Sequence, residues 1–198
     1  MDILTLKRIV AVLAAILTFV SYIPYYRDIL KGKTHPHLYT WLLWGILSSL
    51  LVALQIKGGA GPAILVSGAA VVLCIGVVGL SRIRGTKNIT RLDGYIALMG
   101  LGAIFLWLVV DQPLLSALLL IIADLLAFIP TVRKSWSEPQ SETLSLYVTN
   151  TLRFSMALFA VKEYTFLAAS WIVTWILANG LFALMLITRR RKITRLKQ

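Results

Sequence analysis

Hydrophobic residues fall into long runs that short polar turns separate along the whole chain. A helix that crosses a bilayer needs ~20 mostly apolar residues, within a range of ~17–25. Seven runs meet this requirement, over residues 9–30, 38–56, 61–80, 92–110, 113–134, 142–161 and 165–187. The pattern predicts an all-α membrane protein with seven transmembrane helices. Because the turns are too short for a soluble domain, we interpret residues 1–198 as a single membrane domain.

The composition agrees with this interpretation. Hydrophobic residues make up 59% of the chain and charged residues only 14%, which is too little charge to cover a water-soluble surface. The formal net charge of +12 would suggest a nucleic-acid partner in a soluble protein. Here the basic residues cluster in the turns between apolar runs, so we expect no nucleic-acid binding. Cys74 is the single cysteine, which excludes an internal disulfide.

The positions of the basic residues predict the orientation in the membrane. Turns that carry excess Lys and Arg lie on the cytoplasmic side. One set of turns holds most of them, at Arg27, Lys31, Lys33, Arg82, Arg84, Lys87, Arg91, Arg133, Lys134 and the tail of residues 188–198. We therefore predict a multi-pass plasma (inner) membrane protein with its N-terminus outside and its basic tail in the cytoplasm. Lys7 and Arg8 oppose this assignment, but the other segments outweigh them.

An internal repeat is visible at a spacing of 106 residues. Ile23-Pro24 is matched by Ile129-Pro130, and Arg27 by Arg133. The pattern predicts a three-helix repeat over residues 9–80, a linker helix over 92–110 and a second three-helix repeat over 113–187. Three helices reverse the direction of the chain, so parallel repeats need a single linker helix between them. Pro24 and Pro130 lie inside apolar runs, where a missing backbone hydrogen bond favours a kink or hinge.

These segments carry a resemblance to a known family. The stretches YIPYYRDILKGKT and FIPTVRKSW resemble the two signature loops of the PQ-loop superfamily, which includes SWEET sugar transporters and cystinosin-like exporters. DILKGKTHPHLYTWLLWG and ADLLAFIPTVRKSW resemble a bacterial branch of that group. Tyr25 and Thr131 stand where the signature has glutamine. Asn179 resembles the asparagine that contacts sugar in SWEET proteins, whereas the matching place in the first repeat lies near Cys74 and is not an asparagine.

The resemblance implies a transporter of a small polar solute, such as a sugar or an amino acid, that works by alternating access. The competing class is a non-transporting membrane receptor or assembly protein on the same scaffold, and fold-level analogy cannot separate the two. We expect no enzyme activity and no cofactor, because the sequence has no catalytic triad, phosphate-binding glycine loop or metal motif. The identity of the solute, the oligomeric state and the role of protons stay open.

Polar and aromatic residues deep in separate helices are the candidate solute-binding groups. An amide offers donors and an acceptor to a solute, and an indole face offers apolar contact. We predict a central cavity that is lined by Trp44, Asn150 and Asn179, with Tyr22 and Trp175 at its sides. Trp44 and Asn150 occupy equivalent places in the two repeats. The alternative interpretation is helix packing and interfacial aromatic belts.

Asp124 and Arg153 are the two charged residues well inside apolar runs. A lone charge at the centre of a bilayer costs at least ~2.5–3.5 kcal/mol on insertion scales. We therefore predict that these two residues form an ion pair. The pair is either structural or part of a proton-coupling or substrate-coupling site.

Overall fold

The described part of the chain is helical throughout. The structure is a computed structural model that describes residues 2–57, 64–161 and 163–195. In these ranges the α-helices are α1 Ile3–Leu30, α2 Leu38–Lys57, α3 Ile64–Arg84, α4 Arg91–Val109, α5 Pro113–Ser137, α6 Leu144–Ala160 and α7 Phe166–Arg195. A short 3-10 helix, Pro139–Ser141, precedes α6, and these ranges contain no strand. The predicted all-α fold class is confirmed, and a helix lies in each predicted run.

The terminal helices are longer than the apolar runs that predicted them. α1 begins at Ile3, where the Asp2 side chain accepts a hydrogen bond from the Thr5 amide and caps the helix. α7 continues to Arg195 through most of the predicted basic tail, because lysine and arginine are good helix formers. Residues 196–198 of that tail lie outside the described residues.

A glycine turn ends α1 where the sequence predicts its end. Gly32 has a φ of 66°, a left-handed conformation that favours glycine. The Gly32 amide donates to the Ile29 carbonyl, and the Lys33 amide donates to the Asp28 carbonyl. This is the Schellman arrangement, which satisfies carbonyls left over at a helix C-terminus. Pro24 lies inside α1 and Pro130 inside α5, so both prolines fall within continuous helices.

Four helical segments of the described chain are long and apolar enough to cross a membrane, namely Ile3–Leu30, Arg91–Val109, Leu114–Ser137 and Ala169–Thr194. A further apolar segment, Leu38–Ala53, is shorter. Many large apolar side chains are exposed, and Val72 and Ile83 expose 70% and 80% of their surface. Extensive exposed apolar surface is unusual for a soluble protein. These features are compatible with a membrane protein.

The chain divides into two compact units. The first unit comprises Met1–Lys33 with Ser135–Gln198, and the second comprises Thr34–Lys134. In the first unit α6 packs between α1 and α7, and α7 also contacts the 3-10 helix. Each predicted repeat therefore contributes to this unit, because α1 belongs to the first repeat whereas α6 and α7 belong to the second.

The second unit contains α2, α3, α4 and most of α5. α2 packs against α3 and α4, and its Leu43 and Leu47 form a core with residues of α4 and α5. Small residues allow the close approach of α4: a Cβ atom added at Gly100 would lie 3.2 Å from Leu43 Cδ1. α4 begins with a capping box, in which Thr90 and Asp93 satisfy each other's backbone amides.

Candidate functional site

In the first unit, the two amide side chains that were predicted to bind solute form a hydrogen bond with each other. Asn150 Nδ2 on α6 donates a hydrogen bond of 3.3 Å to Asn179 Oδ1 on α7, and both residues are buried. Asn179 Nδ2 donates to the Trp175 carbonyl at 2.8 Å, one turn earlier on the same helix. Arg153 Nε donates to Asn150 Oδ1 at 2.8 Å. We call Asn150, Arg153 and Asn179 the amide–arginine cluster; its role in solute binding stays a prediction.

Arg153 links this cluster to α1. Its Nη1 donates to Thr18 Oγ1 at 3.4 Å, and its Cζ lies 3.9 Å from the centre of the Phe154 ring. Tyr22, another predicted site residue, lies on α1 one turn after Thr18. Among the described residues of the first unit, no carboxylate lies within ion-pairing distance of Arg153. Asp124 belongs to the second unit, so the predicted ion pair between Asp124 and Arg153 stays a prediction.

A partly open cavity of about 370 Å³ lies next to the cluster, between α1, α6 and α7. Most of its wall consists of alanine and aromatic side chains, and Thr18 and Arg153 supply the polar groups. Its lining residues are Ala11, Ala14, Ala15, Thr18, Arg153, Phe154, Ala157, Ala160, Val161, Trp171 and Ile172. Arg153 belongs to this lining, whereas Tyr22, Asn150, Trp175 and Asn179 do not; the predicted central cavity stays a prediction. Sequence reasoning missed the alanine face because it followed polar residues only.

Trp175 lies in an aromatic group beside the cavity. Its ring stacks on Phe154 with a centroid distance of 6.3 Å, and it meets Trp171 at 6.4 Å. Phe154 and Trp171 line the cavity and meet edge to face at 5.4 Å. The Trp175 ring therefore packs against two aromatic side chains that line this cavity, and its place at the side of the predicted central cavity stays a prediction.

A network of polar side chains holds the C-terminal part of α1, near Pro24, to the start of α6. Glu142 Oε2 accepts hydrogen bonds from Tyr25 Oη at 3.4 Å and from Tyr147 Oη at 2.9 Å. Thr143 Oγ1 donates to Asp28 Oδ2 at 3.1 Å. Arg190 on α7 donates to the carbonyls of Pro139 and Glu142. Sequence reasoning missed Glu142, although a carboxylate at the start of an apolar run could have marked it.

Trp44 and Asp124 contact each other in the second unit. Trp44 Nε1 donates to the Asp124 carbonyl at 3.4 Å, and its ring packs against Trp41 at 5.2 Å and Phe128 at 5.6 Å. Trp44 is thus placed in a different unit from the other predicted solute-binding residues. Its part in a shared cavity stays a prediction.

A buried ionic cluster, which sequence reasoning also missed, lies in the second unit at the start of α4. Asp93 is fully buried and accepts from Arg133 Nε at 2.7 Å and from Arg133 Nη2 at 2.6 Å. Arg133 also donates to the Asn88 side chain and carbonyl. The repeat of Arg27 at Arg133 marked this arginine in the sequence. Its partner Asp93 could not be identified, because it lies 40 residues away in the chain.

His37 borders this ionic cluster. Its Nε2 lies 3.5 Å from Asp93 Oδ2, but neither ring nitrogen makes a hydrogen bond to another described residue. Burial lowers the pKa of His37 from 6.5 to about 4, because desolvation outweighs the attraction of Asp93. His37 is therefore neutral at pH 7. His35 Nδ1 contacts the Arg84 carbonyl instead, at 2.9 Å.

Comparison with known proteins adds no relative. The chain matches no family model, no curated protein and no solved structure. The function must therefore be argued from the residues themselves.

Proposed function

We propose that the chain is a membrane transporter that carries a small polar solute by alternating access. The observation that carries the proposal is the amide–arginine cluster beside the cavity of the first unit. Polar and ionisable groups inside apolar helices are expensive, and they generally face a bundle interior or a water-filled path. Simple helix packing could use apolar residues at all three positions. A path for a polar solute explains why Asn150, Arg153 and Asn179 are present together.

In the first unit, α1 lines a cavity near one end and is hydrogen-bonded to α6 near the other, and this difference supports an alternating-access mechanism. Thr18 lines the cavity, whereas Tyr25 and Asp28 on the same helix make hydrogen bonds that hold α1 to α6. Pro24 lies between these two regions of α1. A helix that contains a proline bends more easily, because one backbone carbonyl has no amide partner. Bending at Pro24 would separate α1 from α6 at one end and close the cavity at the other, and Pro130 would play the same part in α5.

The internal structure of the units supports the proposed 3+1+3 arrangement of seven membrane-spanning helices. With the 106-residue spacing, α1, α6 and α7 of the first unit correspond to α5, α2 and α3 of the second. Tyr25 bonds to Glu142 at the start of α6, and its counterpart Thr131 bonds to Thr40 on α2. Equivalent positions thus join equivalent helices. This favours a duplicated scaffold with α4 as the linker, which is the scaffold of the PQ-loop superfamily that the sequence resembles.

The proposed orientation places the N-terminus outside and the basic tail in the cytoplasm of the plasma membrane. A cysteine introduced at Gln198, in a chain with Cys74 replaced by serine, should resist a membrane-impermeant thiol reagent in intact cells. It should react after the cells are permeabilised. Strong labelling in intact cells would reverse the proposed orientation.

Counterflow in liposomes tests the transport function. The purified protein is first screened by thermal shift against sugars, amino acids and vitamins, and any stabilising solute is then used for flux. Asn150→Leu and Asn179→Leu should each reduce counterflow at least tenfold, because an unsatisfied polar partner costs about 1–3 kcal/mol. Ser155→Leu is the matched control on α6, since among the described residues the exposed Ser155 hydroxyl bonds only to the Thr151 carbonyl of its own helix. Unchanged flux in both asparagine variants would place the solute path elsewhere.

A folded protein that binds a solute but moves none would instead favour the receptor or assembly alternative.

A further inference from the structure

Among the described residues that line it, the cavity of the first unit combines an apolar wall with one cationic group, that of Arg153. Ala11, Ala14, Ala15 and Thr18 follow the spacing of one helix face on α1. Ala157 and Ala160 lie on α6, one turn and two turns beyond Arg153. Small side chains on both facing helices leave room for another molecule. A volume of about 370 Å³ lies in the range of small-molecule sites, which is ~300–1,000 Å³.

Arg153 supplies the charge of this cavity. Two of its nitrogens are engaged by neutral acceptors, the Asn150 amide oxygen and the Thr18 hydroxyl. No carboxylate in the described part of its unit pairs with it. Nη2 makes no hydrogen bond within that part of the chain. The guanidinium is held in place by Asn150 and by the Phe154 ring, so it is positioned before any ligand arrives.

A second basic residue lies at another edge of the cavity. Lys7 is one turn before Ala11 on α1, and its Nζ donates to the carbonyl of Val161, a lining residue, at 2.7 Å. The same ammonium lies 5.4 Å from the centre of the Tyr164 ring. An approaching anion would therefore meet positive potential at this edge as well as at Arg153.

We propose that this cavity binds a small carboxylate with a compact apolar body. The carboxylate would accept hydrogen bonds from Arg153 and Thr18, since guanidinium and carboxylate groups match in charge and geometry. The apolar body would lie against the alanine face, Phe154 and Trp171. Two basic groups and few other donors do not suit a sugar, which needs many hydrogen bonds along its length. The carboxylate site itself does not depend on the proposed transport function; only the identification of the bound acid as the transported solute rests on it.

Calorimetric titration of the protein in phosphatidylcholine nanodiscs tests the proposal, with empty nanodiscs as the blank. Hexanoate is the probe, and hexanol and hexylammonium are neutral and cationic controls of equal chain length. We expect hexanoate to bind at least tenfold more tightly than either control. Equal affinity for the three ligands would overturn the proposal, because the charge of Arg153 would then play no part.

Variants locate the binding site. Arg153→Gln should weaken hexanoate binding at least tenfold, whereas Arg8→Gln, which removes an exposed charge from α1, should leave it unchanged. Ala157→Leu keeps the arginine but fills the cavity, and it should also abolish binding. Because it leaves every polar group in place, Ala157→Leu remains informative if Arg153→Gln does not fold. Hexanoate binding that survives Ala157→Leu would refute the assignment to this cavity.

The source of the carboxylate is distinguished by chain length and by flux. Hexanoate binding supports a water-borne acid, whereas binding of dodecanoate alone supports a fatty acid from the bilayer at the same arginine. Tight hexanoate binding without counterflow would keep the carboxylate site and reject the transport function. Counterflow of another solute with no binding of either acid would keep the transport function and reject the carboxylate site.

Discussion

Removal of Arg133 should destabilise the second unit through its effect on Asp93. Asp93 is fully buried, and its two oxygens accept the parallel hydrogen bonds from Arg133 Nε and Nη2. In Arg133→Gln the carboxylate would keep only the Thr90 amide and hydroxyl as donors, at 2.7 and 2.9 Å. A buried charge that loses its partner is left without compensation, and such losses typically cost about 3–5 kcal/mol. Because the Thr90 donors remain, we expect about 3 kcal/mol.

Asp93→Asn should lower the free energy of unfolding by less than Arg133→Gln does. The side chain of Arg133 is 25% exposed, whereas that of Asp93 is fully buried. In Asp93→Asn, Arg133 would still reach Asn88 Oδ1 and the Asn88 carbonyl, as well as water. Loss of a hydrogen bond to a charged group is worth about 1.5–3 kcal/mol, and we expect the lower end of that range. The double variant should cost less than the sum of the two single variants, since residues in contact are coupled.

Reversible unfolding in mixed micelles measures these effects. The free energy of unfolding is followed by tryptophan fluorescence as the fraction of denaturing detergent rises. Arg82→Gln is the matched control, because it removes an exposed arginine from α3 in the same unit and should change stability by less than about 0.5 kcal/mol. The reasoning is refuted if Arg133→Gln and Asp93→Asn cost the same amount and add in the double variant.

Three further predictions concern other parts of the chain. His37 has a pKa of about 4 in the folded chain and 6.5 in the unfolded chain. The free energy of unfolding should therefore be constant above pH 6.5 and fall by up to about 3 kcal/mol as the pH drops to 4, because the unfolded chain binds the proton first. His37→Gln should remove this fall in unfolding measurements across that pH range. Pro24→Ala and Pro130→Ala should each keep the fold but slow counterflow, and parental rates in both would exclude a hinge role. Asp124→Asn and Arg153→Leu should have non-additive effects on the free energy of unfolding if the predicted ion pair forms, whereas additivity would show that the side chains are not coupled.

The helices themselves could be predicted because their signals are local. Apolar runs of membrane-spanning length, and the glycine at position 32 after α1, depend only on neighbouring residues. The part of α7 that extends beyond the predicted run also makes distant contacts. Arg189 on α7, for example, donates to the Trp136 carbonyl at 2.9 Å and lies over the Trp136 ring. Hydropathy alone would end the helix before this residue.

Partners that lie far apart in the sequence could be predicted only in part. Helical spacing placed Asn150 and Asn179 on separate helices, and a shared polar character suggested that they are neighbours. No periodicity indicated that Tyr25 would reach Glu142, which is 117 residues away, or that Arg133 would reach Asp93. Helical spacing specifies which residues share a face, but it does not specify which helix covers that face.

Positions 25 and 131 show how a duplicated scaffold can keep its contacts while its chemistry diverges. A phenol at position 25 reaches a carboxylate, whereas the hydroxyl of Thr131 reaches the Thr40 hydroxyl at 2.9 Å. Each pair holds the first helix of one repeat to the second helix of the other. The pair that contains Glu142 includes an ionisable group, and the threonine pair does not. Equivalent positions therefore hold equivalent helices together in the two units, although the groups that form the hydrogen bonds are different.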